Sequence, residues 1–268
     1  MKYKQLFNNL IKEEKELGFD YGGIDFLFKE VVSNYHFIKD EEVTKIHKKE
    51  ISRISKKYIY KKIPIKYIFG YTFFYNFKLL VGKKVLIPRE ETQLIIDIVK
   101  EKVLNKEYKI LDLGTGSGAI SIGLKSVLPQ CEIKGFDISS KALNYAKLNA
   151  KIHNLDISFK KSNMFENINE KFDILISNPP YIKLNEYISK TVNKEPKLAL
   201  YGGVDGLKYY KLIHENCRRV LNNKYFVILE LSSTIYKEVI NIFKDFKGEM
   251  SIKKDYNNKE RFIIIDNL

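Results

Sequence analysis

The chain has 268 residues, 44% of them hydrophobic and 30% charged, a balance that excludes global disorder and suits one large or two unequal domains. A formal net charge of +14 fits an anionic partner, yet it also follows from a composition rich in Lys, Asn, Ile, Tyr and Phe with no Trp, so nucleic-acid binding is possible but not required. No apolar run reaches the roughly 20 residues of a spanning helix, the first residues lack a signal-peptide core, and Cys131 and Cys217 stand far apart; a cytoplasmic protein without membrane contact, disulfide framework or metal site is expected.

Leu6, Leu10, Glu14 and Leu17 recur at helical spacing and predict a first helix that Gly18 stops. A second helix is expected from Asp25 to Ser33. Asp40, with Glu41 and Glu42, reads as the start of a third, whose apolar stripe is Val43, Ile46, Ile51, Ile54 and Tyr58. From Lys45 to Lys66 there are nine basic residues and one acid, Glu50. Lys48, Lys49, Lys56, Lys57, Lys61 and Lys62 are expected to face solvent, where they either steer an anionic partner or simply wet the helix. Pro64 closes this region. The aromatic and β-branched text from Tyr67 to Ile87 predicts two strands reversing at Val81-Gly82-Lys83-Lys84.

Beyond Arg89, strand and helix alternate. Helix 91–104 leads to strand 109–113, a Gly-rich loop at 114–118, a helix to about 127, strand 132–137, helix 139–153 and strands 156–160 and 172–177. Helix 205–221, strand 225–231, helix 233–246 and strands 249–255 and 261–266 complete the chain. Alternation implies right-handed crossovers and a doubly wound parallel sheet, and the last two strands, with no helix between them, imply an antiparallel hairpin at one edge. The expected organisation is a helical N-terminal domain over 1–63, a β-hairpin linker over 64–89 and a seven-stranded α/β domain over 90–268.

Gly114-Thr115-Gly116-Ser117-Gly118 follows a strand ending in Asp112-Leu113 and opens a helix. Such a loop lets a ligand lie against bare backbone, and Asp137, at the end of the next strand, can take both hydroxyls of a ribose. Nicotinamide dinucleotides and S-adenosylmethionine share this geometry. The spacing is Gly-x-Gly-x-Gly and not the Gly-x-Gly-x-x-Gly of the pyrophosphate fingerprint, and Asp112 beside the loop repels an anion but welcomes an ammonium, which favours S-adenosylmethionine.

Asn178-Pro179-Pro180-Tyr181 directly follows strand 172–177, at the end where open sheets bind ligands. Read as chemistry, the tetrad suits methylation of a planar nitrogen. Asn178 accepts one N–H, the Pro179 carbonyl accepts the other, the two prolines fix that carbonyl, and Tyr181 stacks on the planar group. Read as structure, it is a rigid turn. The histidines His36, His47, His153 and His214 fall on expected helices away from the tetrad.

Across nearly its whole length the chain resembles the HemK/PrmC family, the protein-(glutamine-N5) methyltransferases of peptide-chain release factors. The resemblance runs through Pro64-Ile65-Lys66-Tyr67-Ile68-Phe69-Gly70, Val85-Leu86-Ile87-Pro88-Arg89, the Gly-rich loop, the tetrad, Glu195-Pro196-Lys197-Leu198-Ala199-Leu200 and Gly203-Val204-Asp205-Gly206-Leu207. It departs at Lys66, Glu90, Gln93, Asn163 and Glu230-Leu231-Ser232. The resemblance implies a class I methyltransferase fold, a substrate-recognition role for residues 1–63, and transfer from S-adenosylmethionine to the glutamine of a Gly-Gly-Gln motif in class I release factors, by a monomer. It implies that Gly114, Thr115, Gly116, Ser117, Gly118, Asp137, Met164 and Asn178 hold the cofactor. It further implies that Asn178, Pro179, Pro180 and Tyr181 hold the substrate, with Asn178, Pro179 and Tyr181 acting on it and Arg89 contributing. Two other functions suit the same residues: methylation of an exocyclic adenine or guanine amine in DNA or RNA, and a non-enzymatic ribosome-associated binding module.

Overall fold

Apolar residues at helical spacing build the first of two compact units in the computed structural model, which describes residues 1–19, 22–32, 34–103 and 106–268. Residues 1–71 with 187–195 form this unit, and 72–186 with 196–268 form the other. The first contains α1 (Tyr3–Glu16), α2 (Gly23–Val31), α3 (Tyr35–Ile38), α4 (Lys45–Ser55), which runs on through a π-helical turn to Tyr60, and α5 (Ile65–Phe69). Ile24, Leu27, Phe28, Ile51, Ile54 and Tyr58 make its core. Glu14 is buried inside it, where Oε1 accepts from the Tyr58 hydroxyl at 2.6 Å and the Gly23 amide at 3.0 Å. Desolvation pushes its carboxyl pKa above the ordinary value.

Asp40 does not start a helix. The Tyr3 amide donates to the Glu41 carbonyl and the Val43 amide to the Met1 carbonyl, both at 3.1 Å, which keeps this segment extended against the N-terminus. The helix begins later, at Thr44, whose Oγ1 accepts from the His47 amide at 3.2 Å. Lys48, Lys49, Lys56, Lys61 and Lys62 are exposed and Lys57 is half-buried. The second helix is displaced to Gly23–Val31, and Ser33, its expected end, lies outside the described residues.

The hairpin is also displaced. Pro64 caps α5, which takes in Tyr67, Ile68 and Phe69 where the first strand is expected, and the turn expected at residues 81–84 falls earlier. The strands are β1 (Tyr71–Phe74) and β2 (Phe77–Leu80), which reverse at Tyr75-Asn76, with Tyr75 at φ 52°. Phe74 and Leu79 are buried in the core of the second unit.

In that unit, α6 (Leu94–Val103), α7 (Ala119–Val127) and α8 (Ser140–Ile152) share one core with one face of the sheet; the expected end of the first at Leu104 lies outside the described residues. The strands are β3 (Lys109–Leu113), β4 (Glu132–Asp137), β5 (Ser158–Lys161), β6 (Phe172–Ser177), β7 (Leu221–Glu230), β8 (Glu249–Lys254) and β9 (Glu260–Asp266), in the order β5-β4-β3-β6-β7-β9-β8. The first five run parallel, and β9 is antiparallel to both β7 and β8. α9 (Lys208–Asn216) and α10 (Tyr236–Phe243) pack on the other face. Burial on both faces explains the unbroken apolar runs of β6 and β7. The fold is therefore the expected seven-stranded doubly wound sheet with a terminal hairpin, preceded by a helical region. No described helix is long and apolar enough to cross a membrane, and no group of three metal-ligating side chains occurs among the described residues.

Candidate active site

From β3 the chain steps outward to β4 and β5, then returns to β6 on the other side of β3. Ligand crevices form at such a reversal, beyond the C-terminal strand ends. Here those ends border a cavity of about 390 Å³, within the range of roughly 300–1,000 Å³ found for small-molecule sites.

Gly114 and Gly116 line it at φ 77° and 57°, and a Cβ on Gly114 would meet no protein atom within 4 Å. The loop thus leaves room that side chains would fill. Its amides are not bare, however. Those of Gly114 and Thr115 donate to the Phe136 carbonyl at 2.8 and 3.0 Å, and that of Gly116 donates to Asp137 Oδ2 at 2.9 Å. Asp137 Oδ1 accepts from the Ser139 amide at 2.8 Å. The carboxylate therefore ties the loop to β4 while remaining on the cavity wall, and burial raises its pKa.

Thr115, Ser117 and Met164 also line the cavity, whereas Gly118 does not. A Cβ on Gly118 would stand 3.1 Å from both Ala146 Cβ and Phe159 Cζ, so this glycine serves close packing of α8 and β5 against the loop. Asp112 lies behind the wall, fully buried. Its Oδ2 accepts from the Thr115 and Ser121 hydroxyls, both at 2.6 Å, and its Oδ1 has no partner among the described residues. Burial pushes its pKa up to about 6. A buried carboxyl next in the chain to the lining residues Leu113 and Gly114 favours positive over negative charge in the cavity.

β6 ends at Ser177, whose hydroxyl donates to the Leu113 carbonyl at 2.7 Å. Asn178, Pro179 and Pro180 follow on the cavity wall; Tyr181 is not on it and packs against the second sheet core. The tetrad's exit is held by the Ile182 amide donating to the Leu200 carbonyl at 3.0 Å and the Gly202 amide donating to the Ile182 carbonyl at 2.8 Å. A Cβ on Gly202 would come within 2.5 Å of the Pro180 carbonyl oxygen, so this glycine permits the close approach of two backbones.

Two polar residues escaped the sequence reading. Asn178 Nδ2 donates to Thr92 Oγ1 at 3.2 Å, and Thr92 Oγ1 donates to Glu230 Oε2 at 2.7 Å. Thr92 and Glu230 are 4% and 1% exposed. Desolvation pushes the Glu230 carboxyl up to about 7, against the lowering effect of the Thr92 hydrogen bond. The available signal was an acid closing the apolar run Phe226-Val227-Ile228-Leu229. Arg89 lines the cavity, its Nη1 donating to the Ile87 carbonyl at 2.9 Å, and α9 contributes Lys208, Tyr209 and Leu212.

The family model described as Methyltransferase small domain matches residues 90–195. The chain is 33% identical over 275 residues to a release factor glutamine methyltransferase of Streptococcus pneumoniae, covering 99% of each chain. It is 38% identical over 239 residues to the protein of that name in Dictyoglomus turgidum, covering 85% of this chain and 82% of the other. A solved methyltransferase from Pyrococcus furiosus shares the fold, with a TM-score of 0.56 at 19% identity over 81% of this chain and 98% of that one.

Proposed function

Because the chain belongs to the S-adenosylmethionine-dependent release factor glutamine methyltransferase family, we propose that it methylates the side-chain N5 of the glutamine in the Gly-Gly-Gln motif of class I release factors. It acts in the cytoplasm as a monomer. When bound, S-adenosylmethionine supplies an electrophilic methyl group on a sulfonium. Gly114, Thr115, Gly116, Ser117, Asp137 and Met164 hold it. The room left by the loop glycines and the unmatched Asp112 oxygen behind them suit a ligand that carries positive charge.

One observation carries the assignment. Asn178 stands on the cavity wall with Nδ2 committed to Thr92 and no hydrogen bond to its Oδ1 from a described residue. That oxygen accepts one N–H of the target amide, and the Pro179 carbonyl accepts the other. An amide nitrogen is a poor nucleophile because its lone pair is delocalised; two fixed acceptors hold the N–H₂ group so that the lone pair faces the methyl group, and positioning of this kind lowers the barrier. The prolines restrict the turn that presents the Pro179 carbonyl, and Gly202 lies against the Pro180 carbonyl that follows it. Tyr181 braces the turn from the core side. Incubation with a labelled methyl donor and purified release factor, followed by peptide mapping, tests the proposal. Label on the Gly-Gly-Gln glutamine is expected; label on a nucleoside amine instead would reassign the substrate to nucleic acid.

A further inference from the structure

We propose that Thr92 and Glu230 are a positioning pair that fixes which end of the Asn178 carboxamide faces the cavity. The inference rests on the methyl-transfer assignment above, because it concerns the acceptor that assignment uses.

A carboxamide has an acceptor end and a donor end of nearly the same shape, and half a turn exchanges them. The N–H₂ end of Asn178 would repel a target N–H₂ group, so its orientation decides whether the site works. The Thr92 hydroxyl has one hydrogen, and it is directed to Glu230 Oε2 at 2.7 Å. An ionised carboxylate only accepts, so Thr92 Oγ1 is left with lone pairs and needs a donor. Asn178 Nδ2 is that donor, at 3.2 Å, which leaves Oδ1 as the other end of an amide that lines the cavity. Polarity thus runs one way from Glu230 through Thr92 to Asn178. With both residues buried, water does not replace either partner. The Glu230 main chain is itself held, its carbonyl accepting from the Tyr210 hydroxyl at 2.7 Å. Glu230 is not on the cavity wall, so it acts through Thr92 and touches no substrate.

This polarity depends on the charge of Glu230. Burial, with Glu91, opposes the carboxylate, while the Thr92 hydrogen bond, Arg261 on β9 and Arg89 favour it, and the balance pushes its pKa up to about 7. Tyr181 and Tyr210, which also face it, stay neutral because burial raises their hydroxyl pKa values. Once protonated, Glu230 donates to Thr92, which frees the Thr92 hydrogen to turn on Asn178 and lets the amide reverse. Methyl transfer is therefore favoured above that pKa and weakened below it.

The test uses the full chain with purified release factor. Thr92→Val, close to isosteric, should lower kcat by about 100-fold, the cost typical of misplacing a reacting group, with little change in KM or cofactor affinity. Thr92→Ser should recover most of that loss. Combined with Asn178→Ala, Thr92→Val should cost no further rate, because it acts through the missing amide. The acid limb of the parent kcat profile should vanish in Glu230→Gln, which can both accept and donate. Independently of activity, the Asn178 side-chain amide protons, identified by NMR from their absence in Asn178→Ala, should exchange faster with solvent in Thr92→Val. Parental turnover in Thr92→Val, full additivity with Asn178→Ala, or unchanged amide exchange would each overturn the proposal. If the parent enzyme fails to methylate release factor, the assigned substrate falls while the exchange comparison still decides whether Thr92 holds the amide. If Thr92→Val does not fold, a Glu230→Gln profile that keeps the parental acid limb overturns the proposal, and one that loses it supports it.

Discussion

At the scale of single residues, the acceptor and the carboxylate make separable contributions. Asn178→Ala removes the amide oxygen to which the proposed function gives the acceptor role, at a position just beyond the end of β6. Its turnover should fall about 100- to 1,000-fold, the cost of losing a preorganised hydrogen-bonding group, with cofactor binding kept. Single-turnover methyl transfer beside calorimetry checks this; parental turnover would reduce the tetrad to a rigid turn. Asp137→Ala should weaken S-adenosylmethionine binding by about 1.5–3 kcal/mol, the scale of a hydrogen bond to a charged group. Part of that loss comes from the loop, since Asp137 also accepts from the Gly116 and Ser139 amides. Unchanged affinity by calorimetry would remove Asp137 from the cofactor site.

At the scale of elements, close approaches and caps decide the geometry. An alanine at Gly202 would place its Cβ 2.5 Å from the Pro180 carbonyl oxygen and 2.7 Å from that of Gly206. Both are backbone atoms, so the tetrad's exit must shift. Gly202→Ala should cost about 1–3 kcal/mol, as overpacking does, and lower the methylation rate more than cofactor affinity. Thermal unfolding together with rate measurements checks it, and a stable variant with parental rate would show that the tetrad tolerates the shift. The start of α4 offers a second test. Thr44→Ala should cost about 1 kcal/mol, the usual worth of an N-cap, and Asp40→Ala much less. Equal costs by denaturant unfolding would contradict a helix that begins at Thr44.

At the scale of the whole molecule, buried carboxylates set the response to pH. Glu14, Asp112, Asp137 and Glu230 all have raised pKa values, with Asp112 near about 6 and Glu230 near about 7, in each case first through burial. Between the ordinary carboxylate range and these values the native state holds protons that the unfolded chain has lost, so stability falls as pH rises through the window. Carboxylates held low, such as Asp205 beside Lys211, act below that window. The melting temperature should therefore decline from about pH 5 to pH 8, with a shallower slope in Glu230→Gln. Calorimetry at constant ionic strength checks the sign, and a rising melting temperature would sink the assignment. Lys48, Lys49, Lys56, Lys61 and Lys62 are exposed on the N-terminal unit. If they steer the partner, alanines there should slow association with release factor more at low than at high salt, and an unchanged salt dependence would leave the lysines a solvating role.

The sequence by itself determined the features that sit within a few residues of one another. The β3–loop–α7 passage, the tetrad closing β6 and the unspaced terminal strands follow from local periodicity and glycine or proline placement, and the sheet order agrees with them. The strand-end position singled out Asp137 and the family resemblance Met164, and the fold brings both to the same cavity wall as Asn178. Tertiary structure decided the rest. Asp40 has the composition of a helix start, but pairing between residue 41 and the N-terminus keeps it out of the helix. Gly118 belongs to the glycine pattern, yet Ala146 and Phe159 reserve it for packing. The chain from Glu230 through Thr92 to Asn178 joins residues 138 and 86 positions apart. Only parallel pairing of β6 with β7, which sets Ser177 opposite Leu229, brings the ends of those strands together. A hydrogen-bond chain of that kind leaves no periodic trace in sequence, because its members are single polar residues on separate elements, and their geometry exists only once the sheet has formed.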